Sequence, residues 1–263
     1  MEKISEASFE ELALFLNNTF KTQIYSQSYL DWLYIRNPEG RVIGFNEYYS
    51  GKIVGHYALV PWSLEISGQK INAALSLNTA VGKIHQGHGL FTNMAENTYK
   101  LAYENGIDII YGVANQNSTH GFINKLNFTI VDHIDAYFGV SIKLNNSQSF
   151  TNWSPEFMKW RVESPRNRWL LNKSVLKSEN RYFGLKPIYF NNFRNSTDIS
   201  HAYGLNFLLS NMRPTGIMFK IPKAFKPSPL NIIFKNLSHR FKDSEYLLYF
   251  KKTNMGSLDF DAF

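Results

Sequence analysis

The sequence predicts an α/β (α+β) fold in which a mixed, largely antiparallel sheet is flanked by helices. Three observations carry that expectation. A strand-like run over residues 71–77 leads through a glycine-paired turn into an amphipathic helix. Upstream, two helical segments are followed by apolar segments joined by Ser-Gly turns, the pattern of an antiparallel meander. Past residue 144 strand-like segments return, now in a much more basic setting.

Composition bounds the rest. With 263 residues, 44% hydrophobic and 19% charged, the chain can bury a sizeable core and is not a disordered sequence. It has no cysteine, which excludes disulfides, thiolate zinc sites and any covalent cysteine mechanism. Seven histidines lie without HxxxH spacing or a carboxylate pair, so no metal site is expected. No window approaches the apolar length of a membrane span, and Met1-Glu-Lys-Ile-Ser-Glu6 has no apolar core of a signal peptide. Together with the missing cysteines this points to the cytoplasm. The charge is uneven: residues 1–143 carry a net −3 and residues 144–263 a net +10, for +7 in all. A basic half favours a polyanionic partner, a nucleotide-linked substrate or RNA among them; a solvated basic surface is the competing account.

Element by element, residues 5–20 form an amphipathic helix with Leu12, Leu16 and Phe20 in line. Residues 28–35 form a second, capped by Ser28 and ended by Pro38 and Gly40, its Tyr29, Trp32, Leu33 and Ile35 facing a core. Strands follow at 41–49 and 53–60 across a Ser50-Gly51 turn, and 62–66 continues past Pro61 before Ser67-Gly68 turns into 71–77. The turn Gln86-Gly87-His88-Gly89 holds no acidic residue. Its two glycines let consecutive N–H groups curl inward, where they join the positive end of the next helix in an anion cradle suited to phosphate. That helix shows Leu90, Phe91, Met94, Leu101 and Ala102 on one face and closes at Gly106. A strand at 107–113, a short helix capped within 115–118 and running to Leu126, and one or two strands over 128–143 complete this part. The polar seam 145–149 divides the chain into 1–143 and a basic 144–263. Beyond it, 157–165 echoes 29–38: aromatic, apolar, charged, Trp, then Pro. The echo raises the expectation of a degenerate second copy. Residues 182–185, 216–221, 230–234 and 246–250 read as strands, 199–211 as a helix, and Lys220, Lys223 and Lys226 with Pro222, Pro227 and Pro229 as a basic loop.

The order strand, Gln86-Gly-His-Gly89-Leu-Phe91, helix resembles the acyl-CoA site of the GNAT acyltransferase superfamily, whose pattern is Gln/Arg-x-x-Gly-x-Gly/Ala. Five positions match; at the sixth Phe91 replaces Gly or Ala, which crowds the pantetheine end and leaves the pyrophosphate cradle intact. The resemblance implies a GNAT-type sheet and acetyl-CoA or another short acyl-CoA as donor. It places Thr79, Ala80, Val81, Gln86, Gly87, His88, Gly89, Leu90 and Phe91 on the donor, with Asn115 and Asn117 on its amides; capping explains those two asparagines equally well. His85 and His88 would meet phosphate. A bulged backbone N–H at Ala80 or Val81 would polarise the thioester carbonyl, a donor worth about 3 kcal/mol. Asn78 and Thr79 would orient the amine, with His56, His120 or Glu47 through a water as bases. The tyrosine that serves many members as acid aligns with Ile123, beside Phe122, and is missing; Ser118, another tyrosine, water or the CoA thiol must serve. The catalytic candidates are thus Asn78, His120 and Ser118.

The wider ensemble, Tyr29-Leu-x-Trp32, Asn37-Pro38, Val54-Gly-His-Tyr57 and Gly112-x-x-Asn115-x-Asn-Ser118, resembles a two-part bacterial subgroup. Several of its members acylate amino sugars carried on nucleotides for surface polysaccharide. It implies a small-molecule amine acceptor rather than nucleic acid, with Trp153, Trp169, Tyr182 or Phe183 stacking on the base, and it shares the acidic Asp259 and Asp261 end. Two alternatives stand beside it: a Fem-like tandem transferase using aminoacyl-tRNA, and a silent GNAT-fold binding module.

Overall fold

The computed structural model describes residues 1–143, 148–172, 175–179, 186–190, 201–222 and 228–260. A short β1 (Glu2–Lys3) precedes helices α1 (Phe9–Phe20) and α2 (Gln27–Tyr34). The cap of α2 is Ser26, whose Oγ accepts from the Tyr29 N–H at 3.1 Å; Ser28, the expected cap, already lies inside the helix. Next come β2 (Ile43–Tyr49) and β3 (Lys52–Ile66), joined by Ser50 and Gly51 at φ of 50° and 73°. Two consecutive positive φ values make the tight hairpin turn whose twist matches its strands. β3 runs straight through Pro61, past Leu59, the last residue it pairs with β2, so the missing N–H breaks no ladder bond there. β4 (Gln69–Val81) returns beside it. Helix α3 (Leu90–Glu104) then crosses to the parallel β5 (Ile109–Ala114), followed by α4 (Gln116–Leu126) and the single long β6 (Thr129–Lys143).

The remaining elements are β7 (Gln148–Ser149), α5 (Pro155–Val162), β8 (Trp169–Asn172), β9 (Val175–Ser178), β10 (Lys186–Phe190), β11 (His201–Ser210), β12 (Thr215–Lys220), β13 (Leu230–Asn236), α6 (Asp243–Lys252) and β14 (Thr253–Asn254). Strands 216–221 and 230–234 are thus found where the sequence put them. Two expectations are corrected. Residues 201–210 are strand, not helix: Phe207 and Leu209 enter one core and Leu208 another, so both faces are apolar and no alternation shows. Residues 246–250 are helix, not strand: Tyr246, Tyr249 and Phe250 are β-prone by type, yet their i, i+3, i+4 spacing buries all three on one helical face. Residues 182–185 and 223–227 lie outside the described residues.

Among the described residues twelve strands form one sheet, in the order β1-β2-β3-β4-β5-β13-β6-β11-β10-β9-β8, with β12 also on β6. The second stretch repeats the first. Antiparallel β2-β3-β4 followed by parallel β4-β5 has its counterpart in antiparallel β8-β9-β10 followed by parallel β10-β11. Each run then takes its next neighbour from the other part of the chain: β13 lies against β5, and β6 against β11. The Trp echo is a physical pair at this junction. Trp32 and Trp160 stack at 4.8 Å, and each indole N–H donates to the other's carbonyl at 2.9 Å.

Helices α1, α2, α5 and α6 share one core with one face of the sheet, and α3 and α4 cover the other face over β2 to β13. Asp259, whose place at the acidic end had no derivation from sequence, is fully buried. It accepts from Thr151 Oγ1 at 2.5 Å and the Gly256 N–H at 2.7 Å, while its carbonyl accepts from the Tyr111 hydroxyl at 2.8 Å, tying the chain end under β5. No helix among the described residues is long and apolar enough to cross a membrane.

Candidate active site

The site begins where two parallel strands part. β4 pairs with β5 only over Ala73–Leu75 against Ile109–Tyr111. From Ser76 onward β4 is held by β3 alone, while β5 turns to β13, so the β5-facing edge of β4 has no strand beside it. In that free stretch β4 bulges. His56 pairs with Ala80 and Ala58 with Leu77, leaving Asn78 and Thr79 opposite the one residue Tyr57. Asn78 takes the left-handed conformation at φ 58°. The irregularity falls before Ala80 and Val81, which are back in register opposite His56 and Gly55. Within the bulge the Thr79 hydroxyl is buried, with no hydrogen-bond partner among the described residues.

The predicted cradle follows directly. Gln86 donates from Nε2 to the Val81 carbonyl at 3.0 Å, fastening the turn to the end of β4. Gly87 and Gly89 have φ of 85° and 78°, and Gly89 is the N-cap of α3. The N–H groups of Gly87, His88 and Gly89 donate to no acceptor among the described residues, and all three residues are exposed. A Cβ placed on either glycine would meet no atom within 4 Å, so the surface over this turn is open. Open, donor-lined backbone at a helix start is what an anionic group needs. His85 leans on Tyr49 at 5.3 Å between ring centres, and His88 is exposed at the turn.

Phe91, the departure from the pattern, is accommodated by α4. Its ring lies edge-on to Phe122 at 5.7 Å and 6.0 Å from Tyr57, over Gly121, where a Cβ would come within 3.2 Å of the ring. Phe91 therefore packs into the α3–α4 contact. Ile123 packs partly buried at the same core, and no tyrosine stands there. The nearby Tyr57 and Tyr99 hydroxyls share a 2.6 Å hydrogen bond, and burial pushes both far above the usual phenol range, so neither ionises near neutrality.

On the other face of the sheet lies a feature with no sequence signature, a chain of buried polar groups under α1 and α2. Tyr25 donates to Asn78 Oδ1 at 3.0 Å, and Asn78 Nδ2 donates to the Tyr34 hydroxyl at 2.9 Å. Tyr34 meets His56 Nε2 at 2.9 Å, and His56 Nδ1 meets Asn46 Oδ1 at 2.7 Å. Asn46 Nδ2 continues to Ser8 Oγ at 3.2 Å. His56, read from sequence as a possible base, is fully buried with both ring nitrogens engaged, and desolvation lowers its pKa to about 3. It is a structural acceptor and not a base. Glu47, another candidate, pairs with the N-terminal amine at 3.4 Å.

The remaining candidates are not drawn together. Asn115 Oδ1 accepts from the N–H groups of Asn117 and Ser118, and Ser118 Oγ accepts from the Asn115 N–H, a capping box that engages both side chains. His120 is exposed on α4, on the α3 side of the sheet, whereas the Asn78 amide faces α2. Of the aromatics offered for base stacking, Trp169 is core at 7% exposure. Trp153 is half-buried and donates to Ser149 Oγ at 3.0 Å. Tyr182 and Phe183 lie outside the described residues. The acidic and imidazole side chains described form no group able to hold a metal ion.

Residues 1–131 match the family described as Acetyltransferase (GNAT) domain. Over those residues, just under half of the chain, the sequence is similar to a GNAT domain. Solved structures extend the likeness over most of the chain. A conserved protein from Enterococcus faecalis V583, described as a probable N-acyltransferase, superposes with a TM-score of 0.63 at 8% identity, over 90% of this chain and 72% of that one. A GCN5-related N-acetyltransferase from Anabaena variabilis gives 0.60 at 10% identity, over 89% and 72%. Another from Kribbella flavida gives 0.55 at 11%, over 89% and 70%. At such identities the likeness is one of fold. No curated protein sequence matches the chain. Over residues 1–131 the parted strands, the bulge and the glycine-paired turn are contiguous.

Proposed function

We propose that the protein is an N-acyltransferase that moves an acetyl or short acyl group from acyl-CoA to a primary amine. The observation that carries this reading is the row of exposed N–H groups at Gly87, His88 and Gly89, with no acceptor among the described residues, at the head of α3 and beside the gap between β4 and β5. Gln86 to Phe91 would hold the pyrophosphate, and Thr79, Ala80 and Val81 would run along the pantetheine with Asn115 and Asn117 across from them. Backbone N–H groups at the β4 bulge would polarise the thioester carbonyl. The neutral amine then attacks that carbon, the C–N bond forms, the C–S bond breaks and the thiolate leaves with the proton the amine gives up. Asn78, its amide held by Tyr25 and Tyr34, would help orient the amine through the bulge backbone, Ser118 would lie toward the leaving sulfur, and His120, exposed on α4, is the remaining candidate base.

For the acceptor, the reading extends to the amino group of a nucleotide-linked amino sugar in surface polysaccharide synthesis, supported by the net +10 of residues 144–263. The test follows thiol release from acetyl-CoA with amino sugars offered free and nucleotide-linked. Strong preference for the linked amine is expected. Equal rates, or activity only with a peptide or aminoacyl-tRNA, would discard the acceptor.

A further inference from the structure

The polar chain beneath α1 and α2 runs in one direction, and its polarity follows from its far end. Ser8 Oγ gives its proton to the Ser5 carbonyl at 2.8 Å, so it receives from Asn46 Nδ2. Asn46 then presents Oδ1 to His56, which must carry its proton on Nδ1. A neutral His56 so arranged presents a bare Nε2, and Tyr34 spends its one proton there. Tyr34 can therefore only accept from Asn78 Nδ2, and Asn78 Oδ1 is left to accept from Tyr25. Every amide and ring along the path has one allowed orientation. Ser8, Tyr34, Asn46, His56 and Asn78 are all buried, where leaving any of these groups unpaired is costly.

This path ends on the one residue that shapes the β4 bulge. Asn78 sits at φ 58°, uncommon for a residue with a side chain, and both ends of its amide are gripped by tyrosines from outside the sheet. We propose that the chain Tyr25–Asn78–Tyr34–His56–Asn46–Ser8 is a positioning device that fixes the β4 bulge so that its backbone N–H groups polarise the thioester carbonyl of acyl-CoA. It rests on the acyl-CoA reading above. Its side chains touch no reacting atom; they act through the backbone of residues 78–80. The buried, unpartnered Thr79 hydroxyl at the centre of the bulge fits a strand segment held in place by its neighbours rather than by its own side chain.

The test uses the carbonyl stretch of [1-13C]acetyl-CoA bound to the whole protein, read by infrared difference, alongside CoA affinity by calorimetry. Tyr34→Phe cuts the path at its middle with little change of shape. Asn78→Gly cuts it at the bulge while leaving a residue that adopts positive φ freely. In the wild type the stretch should move to lower frequency on binding. In both variants it should return toward the free value, with CoA affinity kept and thioester turnover down by roughly tenfold or more, the size of effect for one oriented donor. An unchanged stretch in a folded Asn78→Gly variant would overturn the proposal and leave the acyl-CoA reading standing. A wild type that binds neither CoA nor acetyl-CoA would overturn both. Should Tyr34→Phe fail to fold, Asn78→Gly alone decides the matter.

Discussion

At the scale of single residues, His56 separates what a side chain could do from what its surroundings allow. A histidine in a strand near the β4 bulge reads as a base, because its unperturbed pKa suits proton transfer. Full burial between Tyr34 and Asn46 removes that role, and the folded value of about 3 lies well below the ordinary 6.5. Between those values the unfolded chain binds a proton that the folded chain refuses, so stability falls as pH drops from about 6.5 toward 3. The full loss is about 5 kcal/mol. Urea unfolding of wild type and His56→Gln across this window should show a shallower pH dependence in the variant; identical slopes would contradict it. The ring should also hold its proton on Nδ1 near neutral pH, which nitrogen NMR reads directly. None of this was legible in sequence, because Tyr25, Tyr34, Asn46 and Asn78 are far apart along the chain and each alone reads as core or turn.

At the scale of elements, the glycine-paired turn was fully legible: strand, turn and helix form one local unit whose signals lie side by side. Gly89→Val meets no steric neighbour, but forces a β-branched residue to φ 78°. It should cost about 1–2 kcal/mol of stability and at least tenfold in CoA affinity, measured by thermal melting and calorimetry. The α3–α4 contact was legible only in part. Phe91 stood out as a departure, while the Gly121 that makes room for it became visible only with α4 in place. Gly121→Leu should push the Phe91 ring toward the open side of α3, weakening acetyl-CoA binding more than it lowers the melting temperature. Equal binding in a folded Gly121→Leu would show that Phe91 borders no part of the donor site. Strand β11 was misread because both its faces are apolar and hide the alternation, and helix α6 because its aromatics are β-prone by type although they recur at helical spacing.

At the scale of the whole molecule, the Trp-Pro echo in the sequence foreshadowed a repeated strand order, yet no pattern announced that the two parts would exchange their final strands. β13 lies between β5 and β6, so residues 1–143 alone would leave β6 with no strand beside it, β5 paired only with β4, and the Trp32 indole without the Trp160 carbonyl. That fragment should therefore be unfolded or aggregated by circular dichroism and light scattering; a soluble, cooperatively melting fragment would contradict the shared sheet. The same architecture brings the basic part of the chain up to residues 1–143 across β6 and β13. The account as a whole turns on one claim, that the open turn at Gln86–Gly89 is an acyl-CoA cradle. Titration calorimetry of the wild-type protein with CoA and acetyl-CoA tests it most directly. Saturable binding of both, one molecule per chain and lost in Gly89→Val, is the predicted result; no heat of binding from either ligand to the folded wild type would contradict it.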